Sequence, residues 1–159
     1  MVKKLFTFGY EGLDFATFVT RLEANGVGVI LDVRELPLSR KKGFSKKSLA
    51  AALHKNGILY SHLPALGCPK PIRDRYRKDG DWEQYSKAFL KYLKTQDEAL
   101  DELARLANEG GCCLLCFEAD HTRCHRTYVA RAVAERTRVG VVHITSQTAI
   151  PELPHRAVA

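Results

Sequence analysis

Short continuous apolar runs alternate along the chain with apolar residues at helical spacing. An apolar stretch over residues 5–8 leads into a glycine, and after the N-cap residue Asp14 apolar side chains recur every three or four positions. This pattern predicts a strand, a turn and a helix. The next apolar run, from 27 to 33, is almost entirely β-branched or aliphatic, which is typical of a strand buried on both faces.

The alternation continues through the rest of the chain. A second helix is predicted to begin directly after Ser45, followed by a strand over 58–63. Helical residues are predicted over 82–107 with a break at Thr95. The last predicted elements are a strand over 112–117, a helix over 124–136 and a strand over 139–145. Residues 64–80 instead mix proline, glycine and charged side chains. We predict a long loop there, either a lid over a site or a plain insertion.

Strands that alternate with helices predict an α/β fold. We expect one domain over residues 1–159, with a Rossmann-like three-layer architecture and a mostly parallel sheet of about five strands. In such sheets ligands bind at the carboxyl ends of the strands. The rule selects three segments as places for a site: 9–12, 34–43 and 118–123.

Composition narrows the class of protein. The chain has 159 residues, of which 45% are hydrophobic, enough for one core and too few for two ordinary domains. No apolar run is long enough to cross a membrane, and the first residues lack the zones of a secretory signal. The five cysteines are an odd number, which favours reduced thiols over a disulfide framework. We therefore expect a cytoplasmic protein with no membrane association.

Charge adds an expectation about partners. The formal net charge is +7, and positive side chains are concentrated in residues 40–47 and 70–78. Such a surface favours an anionic partner, either a small molecule or a nucleic-acid component. The alternative is a solvated basic surface without a specific ligand. No cofactor is predicted.

The segment CFEADHTRCHR, at 116–126, contains the highest density of thiol, imidazole, guanidinium and carboxylate side chains in the chain. Cys124 is placed near the first turn of a predicted helix, where unpaired amides, the helix dipole and neighbouring arginines favour a thiolate. The candidate catalytic residues are therefore Cys124 as nucleophile, Glu118 as general acid or base, and His125 as the orienting or relaying group. Two alternatives remain open: Cys124 is a buried structural cysteine, or His125 and Arg126 hold an anion without a covalent step.

Metal binding is an alternative use of the same segment. Cys116, His121, Cys124 and His125 supply four metal-binding side chains within a short stretch. Their spacing is not a standard zinc pattern, and the one C-x-x-C pair, Cys113 with Cys116, lies mostly in a predicted strand whose side chains alternate between faces. No metal ligand is predicted on these grounds.

Further candidates follow other strand ends. Asp32 is expected to hold Arg34 rigidly as an ion pair, and His62 enters as a weak candidate from the next strand. The predicted anion-binding or substrate-binding residues are Arg34, Arg126, Tyr10, Ser39 and Arg40, and the supporting residues are Asp32, Cys116 and His62.

Four segments together resemble domain-of-unknown-function family 488, a group of small bacterial and archaeal proteins. The segments are FGYEG at 8–12, LDVRELPLSRKKGFSKKSL at 31–49, YSHLPALG at 60–67 and CFEADHTRCHR at 116–126. In the last and most specific one, the family pattern falls on Cys116, Glu118 and the Cys-His-Arg at 124–126. The resemblance implies a compact α/β fold and a shared polar site, and it implies no particular activity.

A weaker similarity links LDVRE to the strand-end motif of rhodanese domains, which are sulfurtransferases. The segment between Cys116 and Arg123 is one residue longer than the loop of cysteine phosphatases, and its two carboxylates suit a phosphate poorly.

The leading hypothesis is a small cytosolic enzyme that acts on a nucleotide-like or nucleic-acid-derived anion. The main alternative is a non-catalytic nucleic-acid-binding or regulatory module that uses the basic stretches with Tyr76, Trp82 and Tyr85. A metal-binding protein and a rhodanese-like sulfurtransferase rank below both. Whether the chain is an enzyme at all is not decided by its sequence.

Overall fold

A central sheet organises the structure, a computed structural model that describes residues 3–153. Within those residues the sheet has six strands: β1 (Lys4–Gly9), β2 (Val29–Asp32), β3 (Leu59–His62), β4 (Cys112–Cys116), β5 (Gly140–Ile144) and β6 (Ala149–Pro151). Their order is β3-β2-β4-β1-β5-β6, and every neighbouring pair is parallel except β5 with β6. The predicted α/β class and mostly parallel sheet are confirmed. The short sixth strand was not predicted, because three residues carry no readable periodicity.

Six helices connect or cover the strands in the described part of the chain. They are α1 (Phe15–Ala24), α2 (Lys46–Lys55), α3 (Lys70–Asp79), α4 (Trp82–Leu93), α5 (Asp97–Glu109) and α6 (His125–Arg136), with short 3-10 turns at Pro64–Leu66 and His121–Arg123. Asp14 caps α1 by accepting from the Thr17 amide, as its position predicts. The predicted break near Thr95 is confirmed by the boundary between α4 and α5.

The prediction of a long loop over 64–80 is wrong, because most of that stretch is α3. No side chain of the helix is fully buried, and only Ile72 and Tyr76 pack partly buried against the core, so the sequence shows no wide apolar stripe. Exposed ion pairs one turn apart, Lys70 with Asp74 at 2.7 Å and Arg75 with Asp79 at 3.4 Å, add a small stabilisation. Gly80 ends the helix in the left-handed conformation with a φ of 64°.

Two apolar cores form the layers on either side of the sheet. One core contains Phe18 and Leu22 of α1 with Leu49 and Leu53 of α2. The other contains buried side chains of α4, α5 and α6, among them Phe89, Leu103 and Val133. The result is a three-layer α/β arrangement in which α6 covers the face opposite α1. None of the helices in residues 3–153 combines the length and apolar character needed to cross a bilayer.

Two glycines bring the loops at the carboxyl edge of the sheet together. A Cβ at Gly9 would lie 1.7 Å from the Glu118 carbonyl oxygen, and one at Gly67 would lie 2.3 Å from the Glu35 amide nitrogen. Neither site can accept a side chain without moving backbone. The segments after β1 and β4 therefore touch, and the amide of Tyr10 donates to the Cys116 carbonyl at 3.2 Å.

We expect Gly9→Ala to lower the free energy of unfolding by about 1–3 kcal/mol, because the new methyl overlaps a backbone carbonyl. Gly140→Ala is the matched control, since a Cβ there has no neighbour within 4 Å. Urea titration of both variants measures the difference. Equal stability of the two would contradict the close approach of the β1 and β4 segments.

Candidate functional site

A groove of about 910 Å³ lies at the carboxyl ends of β1, β2 and β4. The strand-end rule predicts a site at this edge. Residues that line the groove come from distant segments, and the chemically important ones are Tyr10, Arg34, Cys116, Glu118, Cys124 and His125. Side chains far apart in sequence thus share one concave surface.

Two of the three thiols that line the groove, those of Cys116 and Cys124, lie at its base beside β4 and α6. Cys116 is the last residue of β4 and is 9% exposed, while Cys124 is the N-cap residue of α6 and is 3% exposed. Cys113, which points away from Cys116 along the same strand, is completely buried in the core that contains α1 and α2. The two groove thiols are therefore distinct from the structural cysteines of the sheet.

His125 lies between these two thiols. Its Nδ1 is 3.8 Å from the sulfur of Cys116 and 3.8 Å from the sulfur of Cys124. Its Nε2 is 2.7 Å from the backbone oxygen of Val33. A carbonyl oxygen only accepts, so Nε2 carries a proton and, in the neutral ring, Nδ1 presents its lone pair to the thiols. This arrangement can take a proton from Cys124.

The surroundings separate the two thiols in acidity. Burial opposes ionisation of Cys124, but a hydrogen bond from Cys116 and the positive charges of Arg126 and His125 outweigh it and hold its pKa well below the usual value. The same hydrogen bond, together with burial, raises the pKa of Cys116 well above the usual value. The N-terminus of α6 also lowers the pKa of Cys124, because its unpaired amides favour a negative charge. Cys124 is the thiolate of the pair, and Cys116 donates to it.

Glu118 follows β4 on the wall of the groove. Its Oε1 accepts from the Asp120 amide at 3.1 Å. Partial burial, and then the negative charges of Glu11 and Cys124, raise its pKa despite that hydrogen bond. A carboxyl group whose pKa is raised beside a thiolate can supply a proton to a leaving group.

Residues 14–133 match the protein family described as Domain of unknown function DUF488. The chain belongs to the DUF488 family. No curated protein matches the chain. No solved structure matches it either. The match covers the whole Cys116 to Arg126 segment of this DUF488 protein but leaves Tyr10, which lines the groove, outside its bounds.

Arg34 has structural partners on most of its donors. Its Nε and Nη2 donate to the two carboxylate oxygens of Asp32 at 2.8 and 2.7 Å. Its Nη1 donates to the Tyr10 hydroxyl at 3.1 Å and to the Phe44 carbonyl at 2.7 Å. Arg34 is 6% exposed and Asp32 is fully buried. The expected ion pair is present, but it neutralises the charge that was expected to bind an anion.

Arg126 lies behind the groove and is completely buried. Its guanidinium donates to Thr7 Oγ1 at 3.2 Å, to the backbone oxygen of Glu118, and to that of Ala119 at 3.5 Å. The side chain that was predicted to touch an anion therefore has no exposed face. It holds the segment after β4 and contributes its charge to Cys124 from behind.

The remaining predicted residues have mixed placements. Ser39 lines the groove, where its hydroxyl accepts from the Lys41 amide at 3.1 Å, and Arg40 lines it with an exposed side chain. His62 lies outside the groove lining and donates from Nε2 to the Arg34 carbonyl at 2.7 Å. Its role is to support the strand end that carries Arg34.

Sequence reasoning missed several groove residues. Arg77, Arg123 and Phe117 line it with exposed side chains, and Cys68 lines it with a thiol whose pKa burial raises to about 11. Tyr85, expected at a nucleic-acid surface, is 8% exposed and stacks on Trp82 at 4.7 Å. Arg77 on α3 and Cys68 before it lie outside the motif at 116–126, whereas Phe117 and Arg123 lie inside it but are not among the predicted binding residues.

His121, which was considered as a metal ligand, lies in a second cluster. Its ring stacks on His143 at 4.0 Å. The Thr7 hydroxyl, which accepts from Arg126, donates to Nδ1 of His143 at 2.6 Å, and Nε2 of His143 donates to Glu152 at 3.2 Å. Burial lowers the pKa of His143 to about 4, with the charges of His121 and Arg126 acting in the same direction.

Alkylation by iodoacetamide tests the ionisation of Cys124. Between pH 8.5 and 6.5 an ordinary thiol loses about fiftyfold of its thiolate, whereas Cys124 should lose far less because its pKa is lowered. Cys116→Ala removes the main stabilising hydrogen bond, so the pH at half-maximal rate should rise. Cys113→Ala is the control, and peptide mass spectrometry identifies the modified cysteine. A profile for Cys124 like that of a free thiol would contradict the assignment.

Acid should weaken the fold through His143. The unfolded imidazole takes a proton near pH 6.5 but the folded one only near pH 4, so stability is complete above pH 6.5 and declines as pH falls toward 4. The loss attributable to His143 is at most about 3 kcal/mol. Urea titrations from pH 7.5 to 4 should show a shallower decline in His143→Gln than in the wild type. A substitution at the exposed His54 should leave the decline unchanged.

Proposed function

We propose that this DUF488 protein is an enzyme that uses Cys124 as the nucleophile on a nucleotide-like anion. The observation that carries the proposal is the orientation of His125, whose Nδ1 lone pair is turned toward Cys124 because Nε2 donates to Val33. A thiolate at a helix N-terminus with an adjacent base is an activated nucleophile.

The groove residues divide the reaction between them. The sulfur of Cys124 forms a bond to the electrophilic atom of the substrate, and the leaving group departs with its bonding electron pair. Glu118, whose raised pKa favours the acid form, gives a proton to that leaving group. Water then attacks the covalent intermediate, the Glu118 carboxylate takes its proton, and Cys124 leaves as thiolate.

The groove chemistry supports a nucleotide-like substrate. Arg40, Arg77 and Arg123 present exposed guanidinium groups to it, which suits phosphate oxygens. Phe117 is 46% exposed, and Trp82 also lines the groove beneath the Arg123 guanidinium, 5.8 Å from the ring centroid. Aromatic faces beside cations match a base attached to a phosphate.

Protection of Cys124 tests the substrate class. Nucleoside monophosphates should slow alkylation of Cys124 by iodoacetamide in a saturable manner, whereas inorganic phosphate should do so only at much higher concentration. Arg77→Ala and Arg123→Ala should each raise the half-protecting concentration about tenfold or more, since each removes a charged hydrogen bond. Arg105→Ala, an exposed change on α5 outside the groove, is the matched control.

A covalent adduct provides the second measurement. Mass spectrometry of the protein incubated with a protecting nucleotide should show an adduct on Cys124 that is absent in Cys124→Ser. Protection by no nucleotide, or equal protection in all the arginine variants, contradicts the proposed substrate. Steeply salt-dependent binding of oligonucleotides with no reaction at Cys124 would instead support a non-catalytic nucleic-acid module.

A further inference from the structure

We infer that Cys116, Cys124 and His125 form a binding site for a thiophilic divalent cation, most favourably zinc. The bound cation inhibits the proposed enzyme because it binds the nucleophile, Cys124. The inhibitory part rests on the proposed function, whereas the binding site itself rests on geometry alone. The three ligand atoms all lie within 4.8 Å of one another, and all three residues are buried.

The spacing of the ligand atoms fits a tetrahedral ion. Zinc bonds of about 2.3 Å to sulfur and about 2.0 Å to nitrogen, at a tetrahedral angle, place sulfur and nitrogen about 3.5 Å apart. The observed separation is 3.8 Å from Nδ1 to each sulfur. The two sulfur–nitrogen distances need to shorten by only a few tenths of an ångström, and the two sulfurs, which lie within 4.8 Å of each other, must come to about 3.8 Å. A single proton on Nδ1 cannot bridge both sulfurs equally, but a metal ion can.

The outer hydrogen bonds are already those of a metal-binding histidine. The Nε2–H of His125 donates to the Val33 carbonyl, which leaves Nδ1 unprotonated and aimed at both thiols. Histidines that bind metals commonly donate their other ring N–H to a backbone carbonyl in this way. The ligand set of two thiolates and one imidazole suits zinc in preference to magnesium or calcium.

The fourth coordination position faces the groove. All three ligands belong to its lining, so water can complete the tetrahedron from the open side. Cys68 also lines the groove but is not part of the group whose ligand atoms lie within 4.8 Å of one another. Zinc uptake releases to solvent the Cys116 proton and the proton that Nδ1 has accepted from Cys124, which leaves both sulfurs as thiolates and the imidazole neutral.

Zinc in this site hinders nucleophilic attack. The bond to zinc withdraws electron density from the Cys124 sulfur and places the ion beside it, and Nδ1, which accepts the Cys124 proton, is occupied as well. Zinc at this site therefore regulates the proposed enzyme by direct competition at the nucleophile.

Metal titration of the full, reduced, chelator-treated chain tests the site. Cobalt(II) should give thiolate-to-cobalt charge-transfer absorption at one ion per chain, and zinc should displace it. Cys116→Ser, Cys124→Ser and His125→Gln should each weaken zinc binding by at least about tenfold, since even outer-shell changes cost that much. Cys68→Ala, which removes a groove thiol outside the triad, should bind as the wild type does. Circular dichroism verifies that the variants are folded.

Alkylation links the metal to the nucleophile. One equivalent of zinc should slow iodoacetamide modification of Cys124 at least tenfold in the wild type, and a chelator should restore the rate. No cobalt charge-transfer band in the wild type, or unchanged zinc affinity in folded Cys116→Ser and Cys124→Ser variants, would overturn the metal site. A normal cobalt band with no nucleotide protection of Cys124 would support the metal site while removing the enzyme proposal.

Discussion

The hydrogen bond from His125 Nε2 to the Val33 carbonyl is the contact on which the chemistry of this site depends. It joins the start of α6 to the end of β2 and leaves the opposite nitrogen directed at Cys116 and Cys124. The contact exists because β2 lies beside β4 in the sheet, so the strand end that offers a free carbonyl is adjacent to the helix that follows β4. Reversal of the ring would place a proton where the thiols need an acceptor.

Two buried arginines, Arg34 and Arg126, stabilise the site through hydrogen bonds between its segments. Ligand binding is left to other side chains of the groove. Arg34, paired with Asp32, ties the end of β2 to the segment containing Phe44. Arg126 ties β1 to the segment after β4 through Thr7 and the Glu118 carbonyl. Buried charges of this kind are costly to leave unpaired, which explains why each nitrogen of the two guanidinium groups donates to at least one acceptor. The positive side chains exposed to the groove are arginines on its rim, of which Arg77 also lies 3.7 Å from a carboxylate oxygen of Asp74.

The same three atoms serve two chemistries that differ only in what lies between them. Without a metal, Cys116 donates to the Cys124 thiolate and the imidazole accepts the proton that Cys124 has released; with a soft cation, all three become ligands. Both uses require a deprotonated sulfur close to an imidazole nitrogen, in a largely buried part of the groove. The groove geometry therefore connects the proposed catalytic role of Cys124 with its control by metal.

The sequence by itself determined the α/β class, the cap at Asp14, the break near Thr95 and the cluster from Cys116 to His125, because these depend on local spacing. It missed α3, because only Ile72 and Tyr76 of that helix pack against the core and most of its other side chains are charged. Only the tertiary structure decided that Arg126 is buried, that His121 faces His143 and that residues of α3 join the groove. The direction of a side chain after a turn, and its partners across strands, follow from packing between segments that no local pattern records.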